Sequence, residues 1–378
     1  MLPSPPADPI AAVTHPDPYA YYAALRRVAQ VHRDARLGLW VVVGSEAIRQ
    51  ALSDARGRVR PSAEPVPRFL LGAPAGAVFA ALARMNDAPV HGPQRERVDA
   101  LLRRLAPQRL ATDAQRAAQT LAQGGLLQGD AHALDRFAQT LPATVMAAAL
   151  GLPEADWPAI VQATAEWVAA LSPLADDSAR AQGIAAMDRL LGALAALGIA
   201  DVDAAAAQVA LLMQPHDATA GLIGAGVLRL ALDPALRTAA LDGSLPWEAF
   251  GAEVLRHDPP VHNTRRTLAA DMQIGGVPMR AGDTLLIVLA AAERDPARHD
   301  APDRFRLDRA PLASLVLGAG AHVCPGAAIG LTIAQAGWRA LLSGASAPAL
   351  AALAGRVRWR ASVNARLPFF GQGAPRSP

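Results

Sequence analysis

The 378-residue chain has one cysteine and no lysine. A single thiol excludes an internal disulfide, a cysteine-cluster zinc site and a cysteine-ligated iron–sulfur cluster, since each needs two or more. Without lysine, all 36 basic residues are arginine. Arginine stays charged at any pH a protein meets, so the pI is about 9.7 although the net charge is only +3. The arginines are interleaved with 33 acidic residues, the pattern of a solvated surface, and no nucleic acid is expected as a partner. Aromatic residues are scarce, at 4%, and β-branched runs are few. Alanine and leucine dominate, which favours helices and predicts a mainly α fold. At 52% hydrophobic the chain has ample material for a large core.

Membrane signals are also missing. The opening MLPSPPADPIAAV has neither the basic start nor the apolar stretch of a signal peptide. The most apolar window, residues 204–228, is broken by two glutamines, a proline, a histidine and an aspartate, so no spanning helix is expected. The expectation is a cytoplasmic protein with no membrane partner.

What is present reads as one domain over residues 1–378, because no linker divides it. Proline makes residues 1–18 an irregular N-terminal segment, and residues 370–378 read as a tail. A helix is predicted within PDPYAYYAALRRVAQ and a strand within Gly38–Val43. Residues 60–84 should be a long, partly looped segment. Helical pattern fills residues 93–240, with breaks near Gly124, Pro153, Pro173 and Gly198. A small sheet is predicted between Pro259 and Leu289.

The lone cysteine lies in Leu317-Gly-Ala-Gly-Ala-His-Val-Cys-Pro-Gly326, just ahead of the helical AAIGLTIAQAGWRALL. Glycines let a backbone turn tightly and approach a flat partner. A thiolate near a helix start gains from the helix dipole and free N–H groups. A buried cysteine on a glycine turn is the alternative.

This loop resembles the haem-binding signature of cytochromes P450, F-x-x-G-x-x-x-C-x-G, with Gly320, Cys324 and Gly326 in place and Leu317 where phenylalanine is usual. Three further segments match in family order. Glu253-Val-Leu-Arg256 is similar to the family's E-x-x-R helix. Arg266, ahead of GGVPMRAGD, is similar to its propionate-binding arginine. NDAPVHGPQRERV is similar to its D-P-P-x-H-x-x-x-R segment. The resemblance implies the P450 fold, a helix-rich lobe and a smaller β-containing lobe with haem b between them. It also implies Cys324 as iron ligand, Leu317, Gly318 and Gly326 against the cofactor, and His91, Arg95, Arg266 and His322 as propionate partners.

Gln214-Pro-His-Asp-Ala-Thr219 aligns with the family's A-G-x-[DE]-T-T. By resemblance Asp217 relays protons toward dioxygen, while Ala218 replaces the threonine that holds it. Thr219 stands one residue on, about 100° around a helix. Pro215 lacks an N–H and predicts a kink.

The resemblance implies a monooxygenase acting on a small organic or carrier-bound substrate, in the manner of bacterial secondary metabolism. Electrons would come from a ferredoxin and its reductase, and the arginines at 95, 97, 103, 104 and 109 are candidates for docking an acidic partner. The helices around Trp157 and Trp167 and the segment 60–84 are expected to shape the pocket. Two alternatives stay open. One is an atypical oxidation, by radical coupling, rearrangement or peroxide. The other is a haem sensor without turnover, which would need every haem-binding residue but not Asp217.

Overall fold

The computed structural model describes residues 4–123, 126 and 131–371. Fourteen helices dominate the described residues. The first five are α1 (Tyr19–Val28), α2 (Ser45–Ser53), α3 (Pro74–Ala81), α4 (His91–Arg104) and α5 (Pro107–Ala122). Next come α6 (Ala131–Ala149), α7 (Trp157–Ala170), α8 (Asp177–Ala196) and α9 (Val202–Leu232). The series ends with α10 (Pro234–Leu241), α11 (Trp247–His257), α12 (Leu289–Glu293), α13 (Ala327–Leu342) and α14 (Ala347–Ala352). Proline opens several of them, where its missing N–H costs nothing.

The smaller lobe is a five-stranded sheet built from β1 (Val31–Asp34), β2 (Leu39–Val42), β3 (Gly57–Arg58), β4 (Thr264–Leu268) and β7 (Thr284–Ile287), in the order β1-β2-β7-β4-β3. Between β4 and β7 the hairpin of β5 (Met272–Ile274) and β6 (Val277–Met279) forms its own ladder. A last hairpin pairs β8 (Arg358–Trp359) with β9 (Pro368–Phe369). Within β4 the two-residue period points Arg266 and Leu268 to the buried side. The expected mainly α architecture with a smaller β-containing lobe is what the chain adopts.

Helix α9 is the axis of the larger lobe. Between Ala205 and Leu228 every residue is buried except Gln208, Gln214, Pro215, Asp217 and Ala218. Four of these five fall in one turn. Among the described residues no single helix is long and apolar enough to cross a membrane.

Two expectations need correction. Residues 1–18 are not wholly irregular: the Asp8 carboxylate accepts the N–H groups of Ile10 and Ala11 and starts a 3-10 turn over Ala11–Thr14. The tail does not begin at residue 370, because Phe370 is buried and Asp135 accepts the N–H groups of both Phe370 and Gly371. Residues 372–378 and the break predicted at Gly124 lie outside the described residues.

Candidate functional site

The cysteine loop is held at both ends. Two 3-10 turns, Leu315–Leu317 and Gly320–His322, lead into it, and α13 follows with Gly326 as its N-cap. Gly318 and Gly320 have φ of 81° and 64°, which glycine alone adopts cheaply. A Cβ on Gly318 would stand 2.8 Å from the His322 carbonyl oxygen, and one on Gly320 3.0 Å from the Ser53 Cα at the end of α2. The Cys324 N–H donates to the Leu317 carbonyl at 2.7 Å, closing the loop on itself. Leu317 itself packs against the main core. Upstream, the buried Glu293 carboxylate accepts the Leu315 N–H at 2.7 Å and the Ser314 hydroxyl at 3.0 Å. No motif had marked Glu293.

Behind the loop, Glu253 and Arg256 form a buried ion pair, as the resemblance implied and the i, i+3 spacing alone did not. Arg256 donates to both Glu253 oxygens, at 2.8 and 2.7 Å, and to the carbonyls of Glu293, Pro302 and Arg304. Glu253 Oε1 also accepts the Arg306 N–H and Arg309 Nε. The pair therefore fixes residues 302–309 to α11, where it braces the fold and not the reaction.

Cys324 is surface-accessible, yet burial is the largest influence on its thiol and pushes the pKa up. A hydrogen bond from the Gly326 N–H and the charges of Arg95 and Arg84 pull the other way. The sulfur is thus open to solvent yet set among neighbours that desolvate it. Arg84 shows the same combination: accessible, but with its pKa lowered chiefly by desolvation.

Around Cys324 the structure gathers the basic residues named by sequence. His91 and Arg95 sit one turn apart on α4. The His91 ring lies 4.4 Å from the His322 ring, and His322 reaches Asp87 at 3.4 Å. Burial would raise the Asp87 carboxyl, but hydrogen bonds from His322 and the Val59 N–H outweigh it and hold it low. His91 is pushed down by burial and by neighbouring His322 and Arg95. Arg95 grips Asp99 at 2.9 Å and donates to the Ala321 and Val323 carbonyls, at 3.3 and 2.9 Å, so it clamps the cysteine loop. Arg266 is buried, and its Nη1 donates to the Arg265 carbonyl and Thr264 Oγ1. Desolvation lowers its pKa.

Among the described residues neither Arg266 nor Arg84 forms an ion pair with a carboxylate. Desolvated cations without anions are costly, and the carboxylates of haem b fit that need. At Gly326 a Cβ would meet no protein atom within 4 Å. The chain's own packing does not demand glycine there, as a flat cofactor beside the sulfur would. The residues present fit haem. Sequence reasoning missed Arg84, which belongs to no motif.

On the open turn of α9, both oxygens of Asp217 are engaged. His216 Nδ1 lies 2.9 Å from Oδ1, and Arg360 donates to Oδ2. Burial would raise this carboxyl, but His216 and Arg360 prevail and bring it to about 2. Ala218 is partly open beside it, whereas Thr219 is buried with its hydroxyl turned toward Gly330 of α13. On the helix expected to help shape the pocket, both tryptophans make packing contacts. Trp157 Nε1 donates to the Leu152 carbonyl, and the fully buried Trp167 points its Nε1 at the Met213 sulfur.

Comparison with known proteins agrees with this geometry. The Cytochrome P450 family matches residues 248–342. The chain is 31% identical over 364 residues to Cytochrome P450 144 of Mycobacterium tuberculosis, covering 86% of this chain and 82% of the relative. It is 30% identical over 379 residues to Cytochrome P450 monooxygenase PikC of Streptomyces venezuelae, covering 91% and 87%. Among solved structures, P450BioI in complex with an acyl carrier protein superposes with a TM-score of 0.77 at 23% identity, covering 93% and 96% of the two chains. These relatives set aside the sensor alternative. With its buried Glu253–Arg256 brace, its glycine-shaped loop around a single cysteine and relatives at this identity, the chain belongs to the cytochrome P450 family of haem-thiolate monooxygenases, whose cofactor is haem b bound through a cysteine thiolate.

Proposed function

We propose that the chain inserts one oxygen atom of dioxygen into a small organic or carrier-bound substrate, with Cys324 as the iron ligand and Asp217 as the proton relay. The observation that carries this reading is the turn 214–218, the open stretch of an otherwise buried central helix. It sets a carboxylate into the fold's interior, where one is costly unless it is used. Haem, when bound, supplies the electron transfer and dioxygen chemistry. The chain's residues do the rest. Cys324 presents its sulfur from a loop that cannot relax, because Arg95, Glu293 and the two positive-φ glycines pin it. Arg266 and Arg84 supply positive charge for the propionates, His91 and His322 supply ring N–H donors, and Leu317, Gly318 and Gly326 leave room for the ring.

Asp217 holds and passes protons through its carboxylate oxygens. With no hydroxyl at Ala218, and with Thr219 turned toward α13, the missing hydrogen bond comes from water or from a hydroxyl or carboxylate on the substrate itself. Thr219 then serves packing between α9 and α13. Electrons come from a ferredoxin and its reductase in the cytoplasm. Of the arginines on α4 and α5, Arg97 pairs with Asp203, Arg103 with Glu96 and Arg109 with Asp113. That pairing favours a solvated surface and leaves Arg104 as the one of the series best placed to meet an acidic partner. Use in bacterial secondary metabolism is part of the same proposal.

The test is turnover under isotopically labelled dioxygen, with candidate substrates first chosen by the shift they cause in the Soret band. One labelled oxygen in the product is expected. Asp217→Asn should keep haem and substrate binding while slowing turnover about 10²-fold, the usual loss for a positioned acid. Unlabelled product, or a coupled or rearranged one, overturns oxygen insertion. Unchanged turnover in Asp217→Asn overturns the relay.

A further inference from the structure

Glu293 ends α12 and is 1% exposed. Its two carboxylate oxygens have separate tasks. Oε1 accepts the Leu315 N–H and the Ser314 hydroxyl, the bonds that hold the turn leading into the cysteine loop. Oε2 faces His299, whose Nε2 stands 3.4 Å away. That is an ion-pair distance and not a well-made hydrogen bond, and His299 Nε2 makes no hydrogen bond to any described group. His299 is 8% exposed and is anchored by its own N–H, which donates to the Asp295 carbonyl at 3.0 Å. No arginine pairs with the Glu293 carboxylate among the described residues. Arg256 gives its Nη1 to the Glu293 backbone carbonyl, and Arg298 gives its Nη2 to the Ala313 carbonyl. The other buried glutamate, Glu253, is served by two guanidiniums, those of Arg256 and Arg309. A buried carboxylate without a balancing charge is costly, and at Glu293 the balance falls to an imidazole alone. One proton between Oε2 and Nε2 leaves the pair neutral as a whole and keeps Oε1 free to accept both of its bonds.

We propose that His299 is a positioning residue for the cysteine ligand: it supplies the proton that balances Glu293, and so lets this buried carboxylate hold the cysteine loop. The path from His299 to the sulfur is short. Glu293 holds Leu315 and Ser314, Leu315–Leu317 form one turn, and the Leu317 carbonyl accepts the Cys324 N–H at 2.7 Å. Without its proton partner the carboxylate has to draw in water or swing toward solvent. Either movement takes Oε1 from the Leu315 N–H, loosens the turn and shifts the carbonyl that fixes Cys324. The inference rests on the reading of Cys324 as the iron ligand, and is independent of the fate of dioxygen and of Asp217.

The experiment is a double-mutant cycle on the full-length, haem-loaded protein, with His299→Gln, Glu293→Gln and the two combined. His299→Gln keeps an N–H donor but cannot carry the balancing proton. Glu293→Gln keeps an oxygen to accept the Leu315 N–H but has no charge to balance. Two properties are read: the rate at which the reduced carbon monoxide complex loses its long-wavelength Soret band, and the iron–sulfur stretching frequency by resonance Raman spectroscopy. In the parent background, His299→Gln should speed the loss about tenfold to a hundredfold, as for a buried polar group left unsatisfied, and should shift the stretch. In the Glu293→Gln background the same change should alter the rate less than about twofold and leave the stretch in place. Equal effects of His299→Gln in both backgrounds, or a lowered melting temperature with an unmoved stretch, would reduce His299 to a packed side chain and overturn the proposal. If His299→Gln fails to hold haem, recovery of haem in the combined variant supports the proposal and continued loss overturns it. A histidine-type Soret band in the parent overturns the reading of Cys324 itself, and this inference with it.

Discussion

The cysteine loop and the open turn of α9 are built on different terms. Every part of the loop is over-determined: glycines at positive φ, a backbone hydrogen bond from Cys324 to Leu317, the Arg95 clamp, and Glu293 and the Glu253–Arg256 brace behind it. The turn of α9 keeps its helix while changing its chemistry, with Gln214, Pro215 and Ala218 where the family has smaller or hydroxylated residues. Holding a cofactor requires a fixed geometry that few residues satisfy. Handling dioxygen and protons requires groups that water, substrate or a neighbouring side chain can replace. The first region therefore follows its family pattern closely, and the second departs from it.

The contrast predicts that damage to the loop's supports is structural. The largest effect is expected from Arg256→Leu, which leaves Glu253 buried without its main partner and frees three carbonyls. Breaking a buried pair costs about 3–5 kcal/mol, so chemical denaturation should show that loss and the protein should fail to hold haem. A change under about 1 kcal/mol would mean that the brace is not structural.

Arg266→Leu should act one step further out, on haem and not on folding. A hydrogen-bonded charge pair is worth about 1.5–3 kcal/mol, so haem transfer to a competing apoprotein should speed up roughly tenfold to a hundredfold, with little change in melting temperature. Equal haem release in the variant and the parent would remove Arg266 from the propionate site.

The smallest effect belongs to Pro325. It precedes the N-cap Gly326 and so lies just outside α13, which weakens a pure helix-start role. The Gly326 N–H already reaches the Cys324 sulfur, whereas proline offers none. Pro325→Ala restores an N–H beside the ligand. Donors to a metal-bound sulfur raise its reduction potential, and a net hydrogen bond of about 1 kcal/mol corresponds to about 40 mV at 59 mV per tenfold. A redox titration without substrate should show a rise of that order. An unchanged potential with lowered thermal stability would leave only the helix-start role.

Legibility in the sequence followed the range of the contacts. The loop, the Glu253–Arg256 spacing, the His91–Arg95 turn and the β segment after Pro259 depend on neighbours within a few residues, and the chain's order displays them. Arg84, Glu293 and Arg360 act on partners brought close only by folding, so no local pattern could announce them. Pro215 stands inside α9 with helix on both sides, as the packing of α9 on all sides allows. Thr219 was placed correctly around the helix, but only the structure shows that α13 occupies that side.

The account stands on one sulfur, and the most direct test is the spectrum of the reduced, haem-loaded protein under carbon monoxide, measured for the parent and for Cys324→Ala. The parent should show the long-wavelength Soret band of thiolate ligation and the variant should lose it, while a histidine-type band in the parent, or the same long-wavelength band in Cys324→Ala, would contradict the account.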